Sequence, residues 1–236
     1  MVDLSNFYLD IAKDRLYVSG ANDFRRRSCQ TVLSLVVERL AGLIAPVLCH
    51  MAEDIWQNLP YPVAEASVFE RGWPTAPEEW TSAPESAADV DILGPISEIM
   101  GLRNLINRQL QICRTSEKIG SSLEAAVQIF TIEGNVAANL SSALALIQAT
   151  KSPDVDNLAD WLLVSSFSVD DSDNDLEPLI PESTELGIRI RVARAEGEKC
   201  ERCWHYETDV SDHRLADGVQ GRICGRCRQI LERRGE

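Results

Sequence analysis

Apolar residues recur every three or four positions through most of the first sixty residues, a spacing that predicts amphipathic helices. The pattern marks one helix over residues 4–17 and a longer one over residues 25–45. Pro46 ends or kinks the second helix, because a proline ring clashes with the carbonyl group one turn before it. The pattern resumes over residues 51–59. We interpret residues 1–60 as part of an antiparallel helical bundle.

The helical pattern is lost over residues 61–90, which are rich in proline and indicate a linker loop. We interpret this loop as an ordered connection between two domains. Its aromatic side chains are the expected anchors, namely those of Phe69, Trp73 and Trp80.

Beyond the loop, helical and alternating patterns follow one another. A helix is predicted from about Asp91 to Lys118, and another over residues 136–149. Alternating runs predict three strands, at Ala126–Ile132, Trp161–Val169 and Ile188–Val192. We therefore expect a helix and a small α/β junction domain over residues 91–195, followed by a separate unit over residues 196–236. The predicted fold class is mainly α with a small α+β part.

Cysteine usage and hydropathy indicate an intracellular chain. Three of the seven cysteines, Cys29, Cys49 and Cys113, stand alone in apolar helical patterns, where we expect small core residues. An odd number of cysteines is a poor disulfide framework and fits a reducing compartment. No segment approaches the roughly 18 uninterrupted apolar residues of a membrane span, and the N-terminus lacks the pattern of a secretory signal. We expect a cytoplasmic protein with no membrane association.

The other four cysteines form two Cys-x2-Cys pairs, Cys200 with Cys203 and Cys224 with Cys227, separated by twenty residues. A two-residue gap lets both sulfurs of a pair reach one ion, and two pairs complete the tetrahedron that zinc prefers. We therefore predict a zinc finger over residues 196–236. Gly225 falls inside the second pair, where a positive φ is commonly required.

Paired cysteines have three other common uses in proteins besides zinc binding. An iron site needs a redox context that the sequence does not offer. Two disulfides conflict with the reducing compartment, and a redox Cys-x2-Cys needs only one pair. Four cysteines saturate zinc and leave no position for a substrate, so we expect a structural metal and predict no catalytic residue.

Basic and aromatic residues surround the cysteine pairs, namely Arg202, Trp204, Arg226 and Arg228. This combination suits phosphate contacts and base stacking in RNA. In the alternative interpretation, Trp204 packs beneath the finger and the arginines pair with nearby glutamates. We favour packing for Trp204 and RNA contact for Arg226 and Arg228. The formal net charge of −14 disfavours generic nucleic-acid binding, so any RNA role depends on such local patches.

Six segments together carry a family resemblance: Phe7–Tyr17, Leu43–Pro46, Ala52–Trp56, Glu117–Ala125, Glu198–His205 and Ile223–Cys227. The first four resemble the helical anticodon-binding domain of class I aminoacyl-tRNA synthetases, and most closely the isoleucyl-tRNA synthetase family. The last two are similar to the C-terminal zinc finger of the bacterial-type enzymes of that family. The segments follow the family order from about residue 3 to residue 231.

The resemblance implies the C-terminal, tRNA-recognising part of an enzyme that ligates isoleucine to its tRNA using ATP. It also implies RNA contacts on the helical side, for which the candidates are Lys13, Arg15, Arg26 and Arg27. A helix start is an unfavourable place for basic side chains because of the helix dipole, and this favours a ligand role for Arg26 and Arg27.

The chain lacks the catalytic parts that this family needs. Its three histidines and four lysines form neither a His-x-Gly-His nor a Lys-Met-Ser-Lys-Ser-type motif, and the editing domain is absent too. We expect the chain alone to be inactive as a ligase and to need the missing N-terminal part of the synthetase as its partner.

Two functions other than tRNA recognition are alternatives for this sequence. In the first, zinc staples a structural or interaction fragment that works only with the missing N-terminal chain. In the second, the finger belongs to a DNA glycosylase of the formamidopyrimidine type, which needs a proline directly after the initiator methionine. Val2 occupies that position, and the charge of −14 disfavours duplex binding, so we expect no DNA partner.

Overall fold

The computed structural model describes residues 2–76, 93–131, 157–169, 176–214 and 220–234. It divides into two compact units, one formed by Met1–Arg26 with Asp91–Glu236 and the other by Arg27–Val90. The domain boundaries predicted at residues 60, 90 and 195 remain predictions. The predicted helix over residues 136–149 and the anchor Trp80 lie outside the described residues.

Three helices fall where the apolar spacing predicts them. A π-helical segment, Val2–Tyr8, leads into α1 (Leu9–Tyr17), while α2 spans Phe24–Ile44 and α3 spans Cys49–Gln57. α2 ends at Ile44 because Pro46 disfavours helical dihedrals in the residue before it. An antiparallel bundle of these helices remains a prediction. None of the helices in the described ranges has the length and hydropathy of a membrane span.

The unit Arg27–Val90 has a small core of its own, formed by Ala41, Ala45, Ala52, Trp56 and Val68. The indole Nε1 of Trp56 donates to the carbonyl of Glu65 at 3.0 Å, which ties the start of the loop to α3. Val68 and Pro74 are the buried residues in the described part of the loop. The predicted anchors Phe69 and Trp73 are exposed, so that expectation is wrong for both of them.

A mixed four-stranded sheet, in the order β2-β1-β4-β3, belongs to the other unit. Its strands are β1 (Ala125–Thr131), β2 (Ser166–Val169), β3 (Ser183–Glu185) and β4 (Ile188–Arg194). β1 runs parallel to β2 and antiparallel to β4, and β3 runs antiparallel to β4. The strands predicted near residues 126 and 188 are thereby confirmed.

The strand predicted over Trp161–Val169 is partly wrong, because its first residues are helical. A short helix, α5 (Leu158–Leu162), precedes β2. The side-chain oxygen of Asn157 accepts the N–H of Asp160 at 2.9 Å, and the Asp160 carboxylate accepts the N–H of Asn157 at 3.2 Å. This reciprocal cap satisfies donors of the first helical turn and explains why the apolar run starts as a helix.

The long helix α4 (Leu93–Thr115) packs on this sheet. Its side chains Ile99, Ile106 and Leu110 belong to one buried cluster with Ile129 of β1 and Ile190 of β4. Burial of one such side chain contributes about 1.5–3 kcal/mol. This cluster is therefore the main source of apolar stabilisation in the unit that contains the sheet.

Two of the three lone cysteines are core residues, as predicted, since Cys29 and Cys113 are buried. The prediction is wrong for Cys49, which is exposed. Cys49 is the first residue of α3 and lies one turn before Ala52, where the helix meets its core. Its spacing matches the apolar face of α3, but the core does not extend that far.

The last part of the chain consists of two hairpins and a helix, and we call residues 198–234 the finger. β5 (Glu198–Lys199) pairs with β6 (Tyr206–Glu207), β7 (Ser211–Arg214) pairs with β8 (Gln220–Ile223), and α6 (Gly225–Arg234) follows. The described residues of the finger include few buried apolar side chains, so its stability depends on the cysteines between these elements.

Candidate metal centre and adjoining pocket

The first cysteine pair lies in the turn between β5 and β6. The N–H of Cys200 donates to the carbonyl of His205 at 2.8 Å, and the N–H of Trp204 donates to the carbonyl of Cys200 at 2.9 Å. To close this turn, Trp204 adopts a φ of +67°, in the left-handed region that non-glycine residues rarely occupy. The turn directs the sulfurs of Cys200 and Cys203 toward the same point.

The second cysteine pair lies where β8 ends and α6 begins. The N–H of Gly225 donates to Oδ2 of Asp209 at 3.0 Å, and a Cβ at this position would lie 2.2 Å from the same oxygen. The expectation of a positive φ at Gly225 is wrong, because positive φ among the described glycines occurs at other positions. Glycine is needed here for the close approach of the Asp209 carboxylate.

The four cysteine sulfurs converge on one point. Their Sγ atoms all lie within 4.8 Å of one another, and all four residues are buried. The Sγ atoms of Cys203 and Cys224 are 3.7 Å apart. This distance is too long for a disulfide, but it matches the edge of about 3.8 Å in a tetrahedron with metal–sulfur bonds of ~2.3 Å. The four sulfurs could therefore hold one metal ion.

If all four cysteines are thiolates, their negative charge must be offset by other groups. Hydrogen bonds with Cys203 and Cys227 lower the pKa of Cys224 to about 4, while hydrogen bonds with Cys203 and Cys224 raise the pKa of Cys227. Thiolates buried this close together repel one another. The guanidinium of Arg202 offsets part of the charge, since its Nη1 donates to Sγ of Cys227 at 3.7 Å. A divalent cation would remove the remaining repulsion.

In the described part of the finger, the cysteines form most of the buried core, and Val210, Ile230 and Leu231 pack against it only partly buried. The buried residues of its cluster are Val18, Cys200, Cys203, Ile223, Cys224 and Cys227. Four of these six residues are cysteines, and only Ile223 is an aliphatic residue of the finger itself. Without a bound metal, the finger has too little apolar burial to offset the entropy of ordering its chain.

A pocket of about 440 Å³ lies beside the first cysteine pair. The α1 helix lines one side with Lys13, Asp14 and Tyr17, and the finger lines another with Arg202 and Trp204. Tyr17 is 78% exposed, so its ring is open to a ligand. The pocket thus combines aromatic rings and two cationic side chains with the carboxylates of Asp10 and Asp14, which suits a planar ligand that carries both polar and charged groups.

Trp204 does not pack beneath the finger, contrary to expectation. The residue is 62% exposed, and Nζ of Lys199 lies 5.6 Å from the centroid of its ring. Both the exposure of a large aromatic ring and the positive φ are unfavourable for the isolated protein. Backbone strain of this kind persists where the surrounding structure imposes it, often at a binding site.

Arg226 and Arg228 both have protein partners. The guanidinium of Arg226 donates to both carboxylate oxygens of Asp14, at 3.1 and 2.9 Å. Burial lowers the pKa of Arg226, but the carboxylates of Asp14 and Asp160 raise it by more, so the guanidinium stays charged. Nη1 of Arg228 donates to the hydroxyl of Ser211 at 3.0 Å. RNA contact by these two arginines remains a prediction.

The candidates on the helical side lie at different places. Lys13 is exposed, and its Nζ contacts Asp10 at 2.7 Å. Arg15 is half-buried, and so is Arg26, whose Nη1 donates to a backbone carbonyl at 3.3 Å. Arg27 is exposed and belongs to the unit Arg27–Val90. Three of the predicted RNA contacts line the pocket, namely Lys13, Arg202 and Trp204.

Three residues that shape the site were missed from the sequence. Asp14 and Tyr17 lie on α1, where the four-residue spacing from Asp10 to Asp14 and from Lys13 to Tyr17 marks two polar rows. That spacing was the available signal. No comparable signal exists for the third missed residue, Asp209, in the loop after β6.

Comparison with known proteins places the chain in context. Residues 1–129 match the family described as the anticodon-binding domain of tRNA ligase. The chain is 53% identical over 234 residues to an isoleucine–tRNA ligase of Parasynechococcus marenigrum (strain WH8102). It is 52% identical over 232 residues to that of Prochlorococcus marinus (strain MIT 9313), and 51% identical over 234 residues to that of Synechococcus sp. (strain CC9311).

These alignments cover nearly all of this chain but a small part of each relative. They include 98–99% of this chain but 22% of each relative. The chain therefore spans about a fifth of the length of the curated relatives that it matches. The predicted resemblance to isoleucyl-tRNA synthetases is confirmed, and it covers nearly the whole chain.

Proposed function

Because the chain belongs to the family of anticodon-binding domains of tRNA ligases, we propose that it is the C-terminal tRNA-recognition part of an isoleucine–tRNA ligase. Its proposed role is to bind and position the isoleucine-accepting tRNA. Ligation of isoleucine with ATP falls to the remaining part of such an enzyme, which is the proposed partner of this chain. Both are proposed to act in the cytoplasm.

The metal of the finger is proposed to be one structural zinc ion held by Cys200, Cys203, Cys224 and Cys227. Four thiolates are a donor set typical of zinc, and their tetrahedral spacing supports it. All four positions are taken by protein, which leaves none for a substrate. The proposed role of the ion is therefore to fold the finger and to hold Arg202 and Trp204 at the pocket.

The observation that carries the proposed RNA-binding role is the exposed ring of Trp204, whose backbone has a positive φ, beside Lys13 and Tyr17. An unpaired base of a tRNA loop has the planar face that stacks on such a ring, and its phosphate complements a lysine or an arginine. The overall charge of −14 repels nucleic acid, so binding must come from this local combination. The pocket therefore favours single-stranded RNA over a duplex.

The test is binding of isoleucine tRNA to the metal-loaded chain at two salt concentrations. We expect salt-dependent binding that is tighter than for a non-cognate tRNA and that weakens when a chelator removes the metal. A minimal anticodon stem-loop RNA should retain most of the affinity, because the pocket accommodates bases rather than a helix. Equal binding of both tRNAs, unaffected by chelation, would count against the proposal.

A second role, as an interaction fragment, is favoured by exposed apolar side chains in the unit Arg27–Val90. They lie on and between α2 and α3, namely Val32, Leu40, Leu43, Val47, Leu48 and Met51. Exposed apolar side chains that form a contiguous patch usually meet a partner. We propose that the remaining part of the ligase covers them. Coexpression with that part should increase the solubility of the chain, whereas polar substitution of Val47 and Met51 should increase it without a partner.

A further inference from the structure

One arginine of the finger is held by a helix at the other end of the sequence. Arg226 lies between Cys224 and Cys227, and its Nη1 and Nη2 donate to the two carboxylate oxygens of Asp14 at 3.1 and 2.9 Å. The Asp14 side chain is only 15% exposed, and the Asp160 carboxylate lies 3.9 Å from the same guanidinium. A two-point ion pair with so little solvent sets both the distance and the orientation of its partners.

The same helix is fastened at a second point. Asp10 lies one turn before Asp14 on α1, and its carboxylate accepts a hydrogen bond from Nη2 of Arg103 on α4 at 3.0 Å. Lys13 and Tyr17, which also lie one turn apart, line the pocket. The two ion pairs therefore determine where α1 presents Lys13 and Tyr17 relative to the finger.

We propose that Arg226 is a positioning residue, which holds Asp14 so that α1 and the finger together form the RNA-binding pocket. This inference rests on the proposed RNA-binding function. The cysteines on both sides of Arg226 fix its backbone when they bind metal, so the ion pair transmits the state of the metal site to α1. Loss of the metal frees Arg226, and the side of the pocket formed by α1 separates from the side formed by the finger.

A direct contact between Arg226 and RNA makes the opposite prediction for Asp14. In that case Asp14→Asn frees the guanidinium and removes a negative charge beside the ligand, so RNA binds as tightly as before or more tightly. If Arg226 acts through Asp14, the same substitution releases α1 and weakens RNA binding. The sign of the Asp14→Asn effect therefore separates the two roles.

The experiment measures binding of the anticodon stem-loop of isoleucine tRNA to the metal-loaded chain and its Asp14→Asn, Arg226→Gln and double variants. We expect each single variant to bind about fivefold or more weakly, with the double variant no weaker than the weaker single one. Asp212→Asn is the matched control, because Asp212 lies in the finger and its side chain is 83% exposed. Unchanged or tighter binding by Asp14→Asn would overturn the proposal.

A second readout does not depend on RNA. We expect chelation to increase amide hydrogen exchange in α1 of the unmodified chain, and Asp14→Asn to show that increase before chelation, with its zinc content unchanged. If the unmodified chain binds no RNA, the proposed function fails, but this exchange measurement still decides the coupling. Equal protection of α1 with and without metal would overturn it.

Discussion

Trp204 allows backbone strain and RNA binding to be tested at one residue. Its φ of +67° costs a non-glycine residue about 1–2 kcal/mol, and alanine keeps that cost. Glycine removes the strain but loses about 0.5–1 kcal/mol through the entropy of the unfolded chain. We therefore expect Trp204→Gly to have a free energy of unfolding about 0.5–1 kcal/mol above that of Trp204→Ala. Loss of the Lys199 contact affects both variants equally.

The same two variants should lose RNA affinity together. Stacking of one base on an aromatic side chain contributes about 1–3 kcal/mol, so removal of the ring weakens binding about 5- to 150-fold. Trp204→Phe keeps an aromatic face and should bind within a few-fold of the unmodified chain. Denaturant unfolding followed by circular dichroism gives the stabilities, and fluorescence anisotropy of a labelled anticodon stem-loop gives the affinities.

Leu186 provides the matched control for this series. It also has a positive φ, of +53°, and it is 67% exposed, but it does not line the pocket. Leu186→Gly should exceed Leu186→Ala in stability by a similar amount and leave RNA binding unchanged. Equal stability of Trp204→Ala and Trp204→Gly would refute the strain argument. Full RNA binding by either would refute the stacking argument.

Three further predictions concern the metal and the packing. Removal of the metal by a chelator, or Cys227→Ser, should abolish protection from hydrogen exchange across the finger, while the core around Ile129 and Leu110 stays protected. Loss of protection in both regions together would contradict the separate role of the metal. Gly197→Ala should destabilise the chain by more than the strain of its φ of +87° alone, because the new Cβ would lie 2.2 Å from the carbonyl oxygen of Glu207. The control in thermal unfolding is Gly72→Ala, whose added Cβ meets nothing within 4 Å. Leu110→Ala should lower the free energy of unfolding by about 2–5 kcal/mol. Gly101→Ala, at an exposed position of the same helix with open space around it, should raise it by about 0.5–1 kcal/mol. The opposite order in urea unfolding would contradict the packing of α4.

The helices were predictable because their signal is local. The apolar spacing of α1, α2 and α3 repeats every three or four residues, and Pro46 marks where α2 must end. The start of the segment Trp161–Val169 was mispredicted because its apolar run suits a strand or a buried helix equally well. The cap between Asn157 and Asp160 makes the start of this segment helical. It depends on side-chain oxygens, which the apolar periodicity does not take into account.

The metal centre could be predicted from local sequence, whereas the surroundings of the pocket could not. The spacing of the two Cys-x2-Cys pairs predicts that their sulfurs meet, because the two cysteines of each pair lie within one turn of the chain. The environments of Trp204 and Arg226 depend on α1, and Asp14 lies 212 residues before Arg226 in the sequence. From the sequence, a tryptophan beside a cysteine suggested packing and an arginine beside another suggested RNA contact. The structure exposes the tryptophan and pairs the arginine, because the fold supplies a carboxylate to one and open space to the other. The helix α1, which is distant in the sequence, therefore decides which of the two residues beside the cysteine cluster is available to a ligand.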